Sequence, residues 1–507
     1  MTKFLILFLS LLVSSTAFTY DAGKKYDLTF FHVSDTHGHF YKSPANNEGG
    51  FAILSTLVKN ARQEARQNNS LFFLTSGGDI NTGTPESDLL LAEPDFRAMQ
   101  AIGFDAMAIG NHEFDKHWQV LSQQHSWAQF PFLSANIRSA KAQYLPIIPF
   151  IIKEEQNLRV AFLGLTTEDT PFLSLPANTQ GLIFDPAIAT AQKWIPFLRQ
   201  RADVVVVLSH LGWCPLGDCA APNDVLLARA VPGIDLILGG HSHSSLPVPE
   251  VENGTFIFHT FEKNQKVGIL NLEFLDGKIS LKSSELKPIA GEEDPALLAI
   301  LDPLRQLSAE KLKTVVGETP VFLDGERANV RYKETNLGNL VTKTLQLRTQ
   351  ADLTLINSGG IRASIAPGPI TYGDIFKVLP FGNTVCTVEL TGAELVKYME
   401  VIAKMNPGEG NFPQMSGVTL TTNTENKILE LKINHEEIKA EKIYKLAMNN
   451  FMAEGGDFYP KVKDLPSFID TGLTVEYIFR SYIVDQKVID PKEFEITNYY
   501  QRGVPLH

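Results

Sequence analysis

The chain reads as an α/β protein built in two domains, and three observations carry that reading. Its 507 residues exceed what one hydrophobic core organises. Between residues 20 and 290, strand-like apolar runs alternate with amphipathic helix candidates such as FAILSTLVKNARQEARQ (51–67) and ATAQKWIPFLRQ (189–200), the pattern of a sheet covered by helices. Past residue 312 none of the motifs of the first part recurs, so a second and different unit begins there. A hydrophobic content of 44% and a charged content of 20% are ordinary for globular chains.

In chain order, the first element is a leader. MTKFLILFLSLLVSSTAFT has one lysine, an apolar run and small residues that fit cleavage after Ala17, so residues 1–17 are expected to be a removed signal peptide. The run is short for a membrane span, and the terminal QRGVPLH offers no hydrophobic tail for a lipid anchor. A periplasmic or secreted protein without a stable membrane anchor is the expectation. Cys214 and Cys219 bracket a PLGD loop and can close a small disulfide in an oxidising compartment, with metal binding as the competing use. Cys386 reads as a buried free thiol.

Five apolar runs then end on residues that bind divalent metals: FFHVSDTH (30–37), LFFLTSGGD (71–79), DAMAIGNHEFD (105–115), DVVVVLSH (203–210) and DLILGGHSH (235–243). Strand ends are where an open α/β sheet assembles a site from distant sequence. A single His or Asp at such a place is more often a cap or surface group, and the conjunction of five is what points to metal. Asp35, His37, Asp79, Asn111, His210, His241 and His243 number seven, more than the roughly four that one tetrahedral zinc takes. Two ions about 3.5–4 Å apart, bridged by one carboxylate, use all of them. Imidazole, carboxylate and amide oxygen suit zinc or manganese. His112 and Asp115 lie three apart in a helix-like turn and so share a face. His39 and His117 have no motif role and read as surface or supporting groups.

D-x-H, G-G-D, G-N-H-E-F-D, a strand-end His and G-H-x-H, in that order, resemble the metallophosphoesterase superfamily. Together with the C-terminal third they resemble the 5′-nucleotidase family, including its bacterial periplasmic 5′-nucleotidase and UDP-sugar hydrolase members. The resemblance spans nearly the whole mature chain. It implies a calcineurin-like four-layer β-sandwich flanked by helices over residues 20–290, and an α+β substrate-binding domain over 313–507. It implies one metal site of Asp35, His37, Asp79 and His243 and a second of Asp79, Asn111, His210 and His241, with Asp79 bridging. It implies that the His112–Asp115 pair supports the transition state, because a carboxylate on imidazole orients the ring and favours its protonated form.

Between the domains, EEDPALLAILDPLRQLSAEKL (292–312) is helical in period, though interrupted by Pro303, and 291–312 is expected to be a connecting helix. Beyond it, TNLGNL (335–340) and ADLTLINSGGIRA (351–363) stand out as segments suited to holding substrate, the latter a strand ending in a glycine turn and Arg362. By resemblance, Arg362 contacts substrate phosphate and Asn357 the base. Phe381 in VLPFGN and Phe451 in NNFMAEGGDFYP would sandwich the base, and Asp457 would accept from ribose hydroxyls. The flanking Pro, Gly and Asn place both phenylalanines in loops. Where the family carries a further substrate-binding arginine, this chain offers Lys333, with Arg331 and Arg327 nearby, and lysine cannot reproduce a planar fork.

A formal net charge of −12 with no basic stripe excludes nucleic-acid polymers as partners and leaves a small nucleotide. The expected reaction is hydrolysis of nucleoside 5′-monophosphates with two divalent cations as cofactors. A UDP-sugar pyrophosphatase, a 2′,3′-cyclic nucleotide phosphodiesterase, a sulfur-oxyanion hydrolase and a non-catalytic nucleotide-binding protein are the alternatives. Oligomeric state is not legible.

Overall fold

The computed structural model describes residues 20–43, 46–174, 178–215, 222–405 and 407–504. The expected leader and Cys219, and with it the expected Cys214–Cys219 bridge, fall outside the described residues. Cys386 is buried and free.

The N-terminal domain is two six-stranded sheets laid face to face. In the first, Tyr26–Val33, Leu71–Ser76, Ala106–Ala108 and Phe132–Leu133 run parallel, and Lys266–Leu275 and then Lys278–Pro288 extend one side antiparallel. In the second, Leu158–Thr166, Val204–His210, Leu236–Gly239 and Thr255–His259 run parallel. Parallel strands covered on both faces have no use for alternation, and every residue of VVVVLSH (204–210) is buried. Phe30, Phe73, Phe162 and Phe258 fill the space between the sheets. Outside the first sheet lie the helices Phe51–Gln67, Glu93–Ile102 and Pro295–Lys311. Ala187–Arg199 and Asp224–Ala230 cover the second. Helix, sheet, sheet and helix make the four layers that the family resemblance implied.

Pro295–Lys311 runs unbroken through Pro303. An interior proline removes a helix bond at a cost of about 3 kcal/mol. Buried Leu297 and Leu301 and the Asp294 cap, which accepts from Ala296 N–H and the Ser55 hydroxyl, offset it.

The C-terminal domain is α+β. Its five-stranded mixed sheet runs Pro413–Ser416, Leu353–Asn357, Ile443–Asn449, Thr384–Thr391, Ile469–Thr474. Consecutive residues face different cores: Val385 packs with the helices Asn336–Thr349 and Val475–Gln486, Cys386 with Gly392–Ile402. TNLGNL opens a helix. Thr335 caps the helix that begins at Asn336, and the Asn336 amide is consumed by Asp324 N–H and Phe322 C=O. Among the described residues no helix is long and apolar enough to cross a membrane.

The two domains meet through polar contacts beside the strand ends. Tyr477 donates to the Asp115 carbonyl at 2.8 Å, and the Arg480 guanidinium lies 2.7 Å from Glu476 and 3.4 Å from Asp88, all three side chains buried.

Candidate metal centre and substrate cleft

Each candidate ligand sits at or just past the carboxyl end of a parallel strand, so both sheets present them along one edge. Asp35, His37, Asp79, His241 and His243 all have positive φ, between 47° and 79°. Non-glycine residues rarely hold that conformation, and such strain concentrates at functional sites. Gly78 makes the turn possible, because a Cβ there would fall 2.7 Å from the Gly110 nitrogen.

The side chains converge in two groups. The ligand atoms of Asp35, His37 and His243 lie within 4.8 Å of one another, as do those of Asp79, His210 and His241. Asn111 Oδ1 stands 2.8 Å from His241 Nδ1 and 3.2 Å from His210 Nε2. The arrangement suits cations. His37 Nδ1 faces the Thr82 carbonyl at 2.8 Å, and His243 Nδ1 faces Glu262 at 2.9 Å. Those acceptors take the Nδ1 protons, and the two Nε2 atoms face each other at 3.1 Å. His210 Nδ1 donates to the Gly77 carbonyl at 2.6 Å, and its Nε2 stands 2.9 Å from Asp79 Oδ2 and 3.2 Å from the Asn111 oxygen. Imidazole and carboxylate atoms clustered this closely in a largely buried site fit divalent ions between them, in place of the protons they now share.

The electrostatics agree. Burial, reinforced by the neighbouring imidazoles, pushes His37 well below its ordinary value and His241 down to about 3, so both are neutral. Against burial, Asp79 lifts His210 to about 9 and Glu262 raises His243, so in the metal-free chain these two rings carry protons that a bound cation would displace. Burial alone would raise Asp79, yet His210 and His112 outweigh it and hold the carboxylate well below its usual range. Two supports were missed in the sequence. Glu113 accepts four backbone N–H groups, from Asp79, Ile80, Asn81 and Gly110, at 2.7–3.3 Å, and so ties the Asp79 turn to the Asn111 turn. Its place inside G-N-H-E was the available signal. Glu262 fixes the His243 ring and stands in no motif.

His112 Nδ1 lies 2.6 Å from Asp115 Oδ2 across the 3₁₀ turn His112–Phe114. Its Nε2 is 4.0 Å from Asp79 Oδ2. Burial opposes its protonation, but the charges of Asp115 and Asp79 prevail and lift His112 to about 10. Gly472 of the C-terminal domain, at φ 68°, presses on the free edge of this ring, where a Cβ would come within 2.6 Å of Nε2. His39 turns its Nδ1 to the His37 carbonyl and serves the turn rather than the centre.

Across the cleft, Asn357 donates to Asp457 at 2.7 Å and accepts from Asn449 at 2.9 Å. Asn449 also caps the short helix Asn450–Ala453, which carries Phe451, so that phenylalanine stands on a helical turn and not in the expected loop. Asn449 shares a small cavity with Phe381, and the Arg362 guanidinium lies 5.6 Å from the Phe381 ring. Phe381 is 55% and Phe451 43% exposed, far from the usual burial of phenylalanine in a core. Lys333 is exposed, and its carbonyl accepts from Gln414. The cation brought close to Arg362, Asp457 and Glu409 is Arg331, whose charged form is disfavoured by burial and then by Arg327 and Arg362. The Phe381–Gly382 turn approaches the metal side, with a Cβ on Gly382 lying 4.0 Å from the Gly83 carbonyl.

Comparison with known proteins gives the same partition. Residues 28–245 match the calcineurin-like phosphoesterase family, and residues 315–464 match the 5′-nucleotidase C-terminal domain. Protein UshA of Escherichia coli is 35% identical over 527 residues, covering 96% of each chain, and the 5′-nucleotidase of Vibrio cholerae is 35% identical, covering 94% of this chain and 93% of its own. Among solved structures, the 5′-nucleotidase precursor of Thermus thermophilus matches at 28% identity with a TM-score of 0.57, covering 94% of this chain and 99% of its own. The NAD nucleotidase of Haemophilus influenzae shares the fold at 21% identity with a TM-score of 0.80, covering 95% of this chain and all of its own. With both domain models matched and 35% identity held over nearly the whole chain, the chain belongs to the 5′-nucleotidase family of metallophosphoesterases.

Proposed function

We propose that this protein hydrolyses nucleoside 5′-monophosphates to nucleoside and phosphate outside the cytoplasm. One observation carries the reading: two largely buried groups of imidazole and carboxylate ligands, the second built on Asp79, lie beside an imidazole poised to donate a proton. Asp35, His37, Asp79 and His243 would hold one cation and Asp79, Asn111, His210 and His241 the other, zinc or manganese by ligand type. Bound there, two divalent cations supply an activated water and neutralise phosphoryl oxygens.

The remaining work falls to the chain's own groups. Asp115 holds the His112 ring in place through Nδ1, leaving Nε2–H to stabilise charge on the phosphoryl group or to protonate the departing ribose oxygen. Phe381 and Phe451 grip the base by its faces, Asn357 its edge, Asp457 the ribose hydroxyls, and Arg362 a phosphate oxygen. Substrate reaches His112 only when the Gly472 turn moves off the ring, which makes relative movement of the domains part of the cycle. The apolar run of residues 1–17 supports export.

A second reading has one observation in its favour. Arg327, Arg331 and Arg362 lie near one another, more guanidinium than a single phosphate needs, which favours nucleoside diphosphate esters such as UDP-sugars as additional substrates. Phosphate release from a panel of nucleoside monophosphates, UDP-sugars and 2′,3′-cyclic nucleotides, with metal analysis on the same sample, tests both. Activity on none of them, or undiminished activity after EDTA, refutes the proposal.

A further inference from the structure

The strands that deliver His210 and His241 rest on a buried polar layer that the reaction leaves unused. Asp224 Oδ2 lies 2.8 Å from His259 Nε2, and Asp224 Oδ1 accepts the Ser209 hydroxyl at 2.5 Å. Exposure of all three is 1% or less. Gly239 sits between them in register, opposite Ser209 on one side and His259 on the other. Its missing side chain is what lets them meet: a Cβ would fall 2.2 Å from His259 Nε2 and 2.4 Å from Asp224 Oδ2. From the other sheet, His32 bonds the Thr75 hydroxyl at 2.9 Å and approaches the Gly239 carbonyl at 3.3 Å.

This layer lies directly beneath the second ligand group. Ser209 precedes His210, and its carbonyl accepts the N–H of Gly240, which precedes His241. Ser209 Oγ also accepts the N–H of Leu211 at 3.2 Å, so the one hydroxyl clasps the strand end on both sides of His210. Asp224 N–H in turn donates to the Gly212 carbonyl. A carboxylate and an imidazole deep in a core cost several kcal/mol in desolvation, and well-packed apolar residues of the same volume are often at least as stable. Stability alone therefore does not account for them.

Resting on the reading that Asp79, Asn111, His210 and His241 hold a cation, we propose that the Asp224–His259 pair, clasped by Ser209 and seated on Gly239, is a positioning device that fixes the spacing of His210 and His241. It acts on the second cation group and not on Asp35, His37 and His243, whose rings are held by Thr82 and Glu262. Removing a partner that orients a ligand typically weakens metal binding 10–100-fold.

The test is calorimetric titration of Mn²⁺ into the metal-free full chain, with two resolved sites as the baseline. Ser209→Ala and His259→Gln are compared with His259→Leu. The expected result is a 10–100-fold loss at one site in His259→Leu, a smaller loss in Ser209→Ala, and substantial recovery in His259→Gln, whose amide can still meet Asp224. The other site should stay within about threefold. Equal weakening of both sites, or affinities that follow only the melting temperature of the metal-free protein, overturns the positioning role. If His259→Leu fails to fold, an unchanged second site in Ser209→Ala is sufficient to reject it. Fewer than two Mn²⁺ bound by the unaltered chain would instead refute the two-cation reading beneath the proposal.

Discussion

The His112–Asp115 pair gives the sharpest test of the chemistry. In the metal-free chain the neighbouring carboxylates, working against burial, raise His112 from 6.5 to about 10, which corresponds to about 5 kcal/mol in favour of the imidazolium. That figure is the net of a burial penalty and the larger sum from Asp115 and Asp79, and bound cations would offset the part that Asp79 supplies. Replacing His112 by Ala should lower kcat by about 10²–10⁴, or about 3–5 kcal/mol of barrier, the usual span for general acid–base help. Asp115→Asn keeps the shape and deletes the charge. A raised imidazole is protonated below its pKa and loses that proton as pH climbs through it, so the alkaline limb of kcat should move down by at least one pH unit. The assay is phosphate release from a nucleotide between pH 6 and 10, with metal content measured on each variant. His37, Asp79 and His112 also lie within 4.8 Å of one another, so His112 could instead be a ligand. Metal lost in parallel with activity in His112→Ala would establish that and refute the acid role, as would an unmoved alkaline limb in Asp115→Asn.

Three other outcomes are expected. The double variant Phe381→Ala, Phe451→Ala should lose about 10–100-fold in kcat/KM on nucleotides and little on a small aryl phosphate, because a stacked base is worth about 1–3 kcal/mol; equal loss on both removes the base clamp. Arg480→Ala strands Glu476 and Asp88 in the domain contact and should cost about 3–5 kcal/mol in calorimetry, whereas a loss below about 1 kcal/mol would mean that the pair is effectively solvated. Asp95 is fully buried, and desolvation lifts its carboxyl from 3.8 to about 8. The folded chain therefore holds a proton that the unfolded chain has released between those values, and stability falls as pH rises through that window, by about 1.4 kcal/mol per pH unit. Asp95→Asn, neutral throughout, should lack that slope between pH 5 and 8 in denaturant titrations, and parallel curves would show that Asp95 is ionised in the folded state.

What could be read from the order of residues was whatever the backbone fixes over a few positions. A strand followed by D-x-H, G-G-D or G-H-x-H presents its polar residues at the strand end whatever surrounds it, and a three-residue offset puts Asp115 on His112 in any helical turn. The two-domain α/β architecture was legible for the same reason, since apolar runs of strand length and helical period are local patterns. Tertiary packing decided the rest. His37 meets His243 across 206 residues and Asn111 meets His241 across 130, and which nitrogen each ring turns inward depends on acceptors such as the Thr82 carbonyl, the Gly77 carbonyl and Glu262 that no spacing announces. Which of the nearby cations stands beside Arg362 and Asp457, here Arg331, and that Thr335 and Asn336 are committed to a helix cap, only the fold decides. A motif fixes the kind of donor available, but the neighbours that occupy its other lone pairs and protons arrive only with the fold, and they determine what remains free to bind.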